Sequence, residues 1–480
     1  MSQQTLTVGD AADARERVTP RPHRLALPVL VTCQLMLILD ATVMNVALPR
    51  IQADLHFSPT GLSWVLNAYT LVFGGLLLLG GRAGDIVGRR RMFIAGTAVF
   101  TLASLAGGLA TSATWLLLSR VAQGLGAAAA GPSTLALIST TFTDPRERVR
   151  ALAIFSGVAS GGFAIGLVVG GLLTELLSWR WVMFINVPFG AAVTLLAGRF
   201  VARPERNPAR LDLPGAVTAT AGVAALVYAF IHAATFGWGD RATLLALAGG
   251  VVLLVAFLLI EARSPEPLMP LRLFADRNRA SAYLNFFLGP MAMMSMFFFL
   301  TQFLQEISGF GPLTTGFAFL PMAAALFTMT RLIPTLLPRF GPKPLAVTGT
   351  LLIIAGLGWL TRLSPATSYL PGLLGPMLMM GVGIGLAFSP LNVLVMSSVR
   401  AQDAGAAGGV LQTMQQVGAT LGLAVLVTIF GTATRHAARG AGVTAQHVLV
   451  TGMTEAFTGA VVFACCSLAV ALTFRRPASI

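Results

Sequence analysis

Fourteen apolar runs, each close to the roughly 20 residues that a membrane-crossing helix needs, divide this chain of 480 residues. They lie near 25–47, 62–80, 92–110, 114–138, 149–174, 182–200, 212–234, 242–261, 281–304, 313–335, 344–361, 368–398, 404–430 and 451–474. Hydrocarbon offers no partners for free N–H and C=O groups, so runs of this length read as helices that satisfy their own backbone. The expected class is an all-α polytopic membrane protein. Composition agrees, since 10% of the residues are charged against about 25% in soluble domains.

The basic residues test that count, because Lys and Arg concentrate in cytoplasmic loops. With the chain starting inside and alternating, 25 of the 32 basic residues fall in inner segments and 6 in outer ones, with Arg120 inside a run. Both termini are therefore expected in the cytoplasm. The net charge of +14 then reflects orientation and contact with anionic lipid headgroups, not nucleic-acid binding. Lys343 is the single lysine and is followed by Pro344. A P-loop needs lysine followed by Ser or Thr, so no Walker-type ATPase is present. Cys33, Cys465 and Cys466 all fall inside apolar runs, without metal-ligand spacing. They read as small core residues. No HExxH, Ser-His-Asp or Cys-His constellation appears, so neither an enzyme nor a metal or other cofactor is expected.

The runs fall into two degenerate halves. The second ends in a basic stretch at 81–91 and the tenth in Pro338–Lys343; the fifth carries spaced glycines, and so does the thirteenth. The expected division is a cytoplasmic tail at 1–24, a six-helix bundle at 25–200, two inserted helices within 201–280, a second six-helix bundle at 281–474 and a tail at 475–480. Such repeats are typical of secondary transporters, whose substrate site lies near mid-membrane between the repeats.

Several side chains stand out against this background. Gly81–Arg91 reads GRAGDIVGRRR; its glycines suit a tight loop, and Asp85 sits among arginines. Gly81, Gly84, Asp85, Gly88, Arg89 and Arg90 are either a basic topology marker or a gating loop. Asp40 lies deep in the first run, where an unpaired acid costs several kcal/mol, so it is a functional candidate or a structural acid. Arg120 lies at matching depth, roughly 10 Å below the outer surface at 1.5 Å per residue. The two form either a static ion pair or a proton-loading pair. Gly157, Gly161, Gly162, Gly166, Gly170 and Gly171 leave one side of the fifth helix bare, for tight packing or for a sliding interface. Asn45, Gln123, Gln302, Gln305, Asn392, Gln412, Gln415 and Gln416 are cavity candidates or interhelical hydrogen-bonding groups. Glu306 closes the ninth run at its outer end, beside an adaptable wall of Phe and Met.

Together these stretches resemble the major facilitator superfamily, in its fourteen-helix drug:proton antiporter branch of the EmrB/QacA type. GRAGDIVGRRR matches the loop motif between helices 2 and 3. LDATVMNVALPRI at Leu39–Ile51 and LLLSRVAQGLGAA at Leu116–Ala128 match first- and fourth-helix motifs. WRWVMFINVPFG at Trp179–Gly190 and FFLTQFLQEISGFGPLTTGFAFLP at Phe298–Pro321 are also similar. The resemblance implies a proton site at Asp40 with Arg120 in proton transfer, a gate latch at Asp85, and export of hydrophobic or cationic drugs from a bacterial plasma membrane. The proton motive force would supply the energy, with protons, small-molecule cargo and lipid as partners and a monomer as the working unit. Export of an endogenous metabolite, lipid or amino acid is the alternative. One position departs from the pattern: the fifth-helix motif usually has Gly-Pro ahead of the paired glycines, and here Leu167 follows Gly166.

Overall fold

The computed structural model describes residues 25–142, 144–202, 212–265, 267–399, 403–439 and 444–474. The two expected tails, 1–24 and 475–480, lie outside the described residues. Among the described residues fourteen helices are long and apolar enough to cross a membrane. They are α1 Ala26–Leu55, α2 Gly61–Val87, α3 Arg89–Gly108, α4 Ala113–Thr141, α5 Arg146–Leu176, α6 Arg180–Phe200 and α7 Leu213–Phe236. Then follow α8 Arg241–Arg263, α9 Arg277–Ile307, α10 Pro312–Phe340, α11 Pro342–Leu360, α12 Tyr369–Ser397, α13 Gly405–Ala437 and α14 Ala445–Leu472. No strand occurs among the described residues. An even number of crossings puts the start of α1 and the end of α14 on one side, and the arginine bias makes that side cytoplasmic.

Helix ends follow local chemistry. Asp144, Asp212, Asp240 and Asp276 each accept hydrogen bonds from first-turn N–H groups of α5, α7, α8 and α9, supplying partners that the helix itself lacks. The expected loop at 81–91 is corrected. Helix α2 continues through Gly81, Gly84 and Asp85 to Val87, and Arg89 and Arg90 already belong to α3. Gly88 alone breaks the helix, at φ 110°, a conformation that favours glycine. Close approach to α4 rests on Gly80, where a Cβ would run into the Ala128 carbonyl, and less on Gly84, where one would lie 3.3 Å from Ser133 Oγ; at Gly81 a Cβ would make an ordinary 3.6 Å contact with Pro132. Cysteines divide as well: Cys33 is buried, whereas Cys465 and Cys466 are exposed on α14, not in the core.

Helices α1–α6 pack among themselves, as do α9–α14, and the inserted pair α7–α8 leans on α2 and α13. Contact between α2 and α13 runs from Thr60 against Gly431, through a Thr420–Thr70 hydrogen bond of 2.8 Å, to Leu78 against Gly409. The α5–α10 seam is different. Its close contacts lie toward the outer surface, at Gly171 with Leu313 and Leu167 with Gly316, and a Cβ added farther in at Gly157 or Gly161 would meet nothing within 4 Å.

Candidate functional site

Asp40 and Arg120 meet in the core, with relative exposures of 0% and 1%. Arg120 Nη1 donates to Asp40 Oδ2 at 2.6 Å. Asp40 Oδ1 accepts from Gln123 Nε2 at 2.9 Å and from Asn186 Nδ2 at 2.8 Å. Most other polar atoms of the cluster are bonded as well, although Asn186 Oδ1 is buried without a partner. Arg120 Nε donates to the Val65 carbonyl at 3.0 Å, and its Nη1 also reaches Gln123 Oε1 at 2.8 Å. Gln123 Nε2 continues to Ser104 Oγ at 2.8 Å, and the guanidinium lies over the Tyr69 ring, 4.5 Å from its centroid. Helices α1, α2, α3, α4 and α6 therefore all contribute to one dry polar cluster. Every bond to Asp40 comes from a donor, and breaking such a buried pair from one side costs about 3–5 kcal/mol.

Gln123 is wholly engaged in this cluster. The sequence left it between a substrate cavity and interhelical hydrogen bonding; its amide is 0% exposed and spent on Asp40, Arg120 and Ser104, which is the second use. Asn186, inside the WRWVMFINVPFG stretch, was not singled out, although its amide in an apolar run is the same kind of signal. Above the cluster, Asp54 at the end of α1 accepts from Trp179 Nε1 at 2.8 Å and Arg180 Nη1 at 2.7 Å. Arg180 Nη2 also reaches the Ala110 carbonyl at 3.1 Å. Helices α1, α3 and α6 are thus clasped at the outer surface.

The glycines of α5 occupy two faces, not one. Gly162, Gly166 and Gly170 face α1: a Cβ on Gly170 would stand 2.7 Å from Val43 Cα, and one on Gly166 would overlap Thr42. Gly171 faces α10, where a Cβ would stand 2.7 Å from Leu313 Cα. Nearby, Gly316 of α10 sits against the Leu167 carbonyl, and Leu167 itself is 1% exposed. Glu175 Oε2 accepts from Leu313 N at 2.8 Å, and Gln305 Nε2 donates to the Val46 carbonyl at 2.9 Å. Phe163 and Phe297 close the next layer edge-to-face at 5.4 Å. Below them Gly157 and Gly161 have nothing within 4 Å.

The opposing stripe of α10 is exposed too. Arg331 is exposed and stacks on Phe327 at 5.0 Å. The sequence reading counted Arg331 among inner-loop residues, but α10 extends through it to Phe340. The halves are therefore joined on the outer side and parted on the inner side between α5 and α10.

The remaining candidates scatter around this opening. Asn45 is 8% exposed, donates to the Ala41 carbonyl at 3.1 Å and leaves Oδ1 buried without a partner. Gln302 bonds within its own helix, to the Phe298 carbonyl at 3.2 Å. Glu306 is exposed in a π-helical turn at the outer end of α9. Asn392, Gln412 and Gln415 are exposed, while Gln416 packs against Gly74 of α2. Asp85 pairs with Arg89 at 2.5 Å across the Gly88 break. Among the described residues no group of three or more His, Cys, Asp or Glu side chains is arranged to hold a metal. Glu455 within α14 also escaped the sequence reading. The rule that picked out Asp40, an acid inside an apolar run, applies to it equally.

Comparison with known proteins agrees with this architecture. The sequence matches the family model of the Major Facilitator Superfamily over residues 30–423. It is 44% identical over 451 residues to the puromycin resistance protein pur8 of Streptomyces alboniger, covering 93% of this chain and 89% of that one. It is 42% identical over 414 residues to the cephamycin export protein CmcT of Amycolatopsis lactamdurans, covering 85% of each. The fold is shared with a solved bacterial homolog of the human lysosomal transporter Spinster, in its inward-facing unoccupied conformation. There the TM-score is 0.68 and the identity 18%, over 94% of this chain and 96% of that one. With most of its length matched in sequence and its fourteen helices in that fold, the chain belongs to the Major Facilitator Superfamily.

Proposed function

We propose that the chain is a proton-coupled exporter of hydrophobic, often cationic, drugs or antibiotics in a bacterial plasma membrane, working by alternating access. The buried Asp40–Arg120–Gln123–Asn186 cluster carries this reading. A proton placed on Asp40 would take a lone pair now held by a donor, so loading it requires the cluster to part. A proton bound differently by the joined and the parted cluster is what would let a proton gradient drive an equilibrium between two states. Arg120 is the group that Asp40 would release on loading.

The α5–α10 seam supplies the second state. Closing its inner stretch would set Phe327 and Arg331 on the bare Gly157 face of α5 while the outer joint opens. Leu167, where the usual motif has proline, keeps α5 an unbroken helix and lies in the joined part of the seam. Gly81, Gly84, Asp85, Gly88, Arg89 and Arg90 would brace α2 against α3 and α4 during that motion. Asn45, Gln302, Gln305, Glu306, Asn392 and Gln416 are the polar groups from which cargo contacts would be drawn. The working unit of this cycle would be a monomer.

Everted membrane vesicles with an internal-pH dye test it. Adding cationic drugs to energised vesicles should release protons in the wild type and not in Asp40→Asn. Release that survives the substitution would move the proton site elsewhere. A chain silent to every drug in the panel would favour export of an endogenous compound. The name of the cephamycin export relative gives that second reading its support.

A further inference from the structure

On the outer part of the bundle, α7 and α14 both pack on α13 and leave between them a cleft of about 670 Å³. Phe230 and Trp238 form one wall, edge-to-face at 5.5 Å. The floor is the outer end of α13, including Thr428 and Thr432. Glu455 of α14 closes the far side. It is exposed to the cleft, about 6 Å inside the apolar run that begins near 451 at 1.5 Å per residue, and it has no ion-pair partner within 4 Å among the described residues. His436 lines the mouth, and beside it Arg435 Nη2 donates to Thr432 Oγ1 at 3.4 Å. The one acid therefore lies deeper than the basic groups.

We propose that this cleft is a second, lateral binding site for a lipophilic organic cation, taken from the outer leaflet with its charge on Glu455. An acid at apolar depth needs a counter-charge or a proton. Aromatic faces attract a desolvated cation, and Trp238 and Phe230 stand opposite the carboxylate. An outer-leaflet zwitterionic phospholipid fits worse. Its amine lies outside its phosphate, so its negative group would be presented to Glu455 and its positive group to His436 and Arg435. The inserted helices gain a role here, because without α7 the cleft loses its aromatic wall. The site rests on the export reading for its purpose but not for its existence.

The test places a reporter in the cleft. Thr432→Cys is introduced into a chain whose Cys33, Cys465 and Cys466 are replaced by alanine, and maleimide labelling is timed in neutral-lipid nanodiscs. Tetraphenylphosphonium should slow labelling, and Glu455→Gln should raise the half-protecting concentration by about tenfold, as for one lost ionic contact. Glu455→Asp should retain most of the protection. Trp238→Leu should weaken it with the carboxylate intact, which separates charge recognition from misfolding. Neutral triphenylphosphine oxide should show no dependence on Glu455. Equal protection in wild type and Glu455→Gln, or none in a chain that still exports, would overturn the site and leave the export reading standing. Protection without any export would keep the site and sink that reading.

Discussion

Both the outer and inner stretches of the α5–α10 seam place glycine on α5, yet only the outer one, where glycines come from both helices, is joined. Gly171 meets Leu313 and Leu167 meets Gly316, whereas Gly157 and Gly161 meet nothing within 4 Å. A third set, Gly162, Gly166 and Gly170, is welded to α1 within one half of the molecule. The difference lies in what a new Cβ would strike. Backbone of the same half cannot retreat, backbone of the other half can retreat by opening, and empty space resists nothing.

Substitutions rank accordingly. Gly170→Leu has the largest effect, because the added atoms run into Val43 Cα and overpacking costs about 1–3 kcal/mol or more. Detergent size exclusion should show a sharp loss of monodisperse protein. Gly171→Leu meets α10 instead, so the protein should stay folded while the outer joint is forced apart. Thiol reagents added outside should then label Val46→Cys at least about tenfold faster, and export should cease; normal export would break the comparison. Gly157→Leu should leave folding untouched or slightly improved, since leucine exceeds glycine in helix propensity by about 0.5–1 kcal/mol. Export should nevertheless fall about tenfold, because Phe327 and Arg331 can no longer approach. Glu175→Ala is the mildest: losing one hydrogen bond to Leu313 N is worth about 1 kcal/mol. That should shift the inward–outward balance roughly fivefold, visible as faster outside labelling of the same introduced thiol.

Much of this was legible before any coordinates. Hydrocarbon imposes one period and one length on every crossing, so fourteen runs became fourteen helices. An acid and an arginine in apolar runs have few ways to be satisfied, so Asp40 and Arg120 found each other. Other features depend on rotation about a helix axis, which spacing alone does not anchor. Six glycines on α5 read as one bare side because nothing in the chain says which neighbour each one faces. Gln123 stayed open between cavity and interhelical bonding because an amide that completes an ion pair looks the same in sequence as one that waits for cargo. The turn at 81–91 read as a loop because its arginines and glycines are loop-like in composition, although glycines on α2 are there for α4.

That turn carries a last consequence, for proteolysis. Four arginines, Arg82, Arg89, Arg90 and Arg91, crowd the cytoplasmic face, and by composition this is the most trypsin-sensitive stretch of the chain. Proteases need several residues of extended backbone to thread their cleft, and nicking concentrates in exposed loop tips. Here Gly88 is the only non-helical residue between α2 and α3. Trypsin on everted vesicles should therefore leave this stretch whole, so the cationic face meets the cytosol as a closed surface.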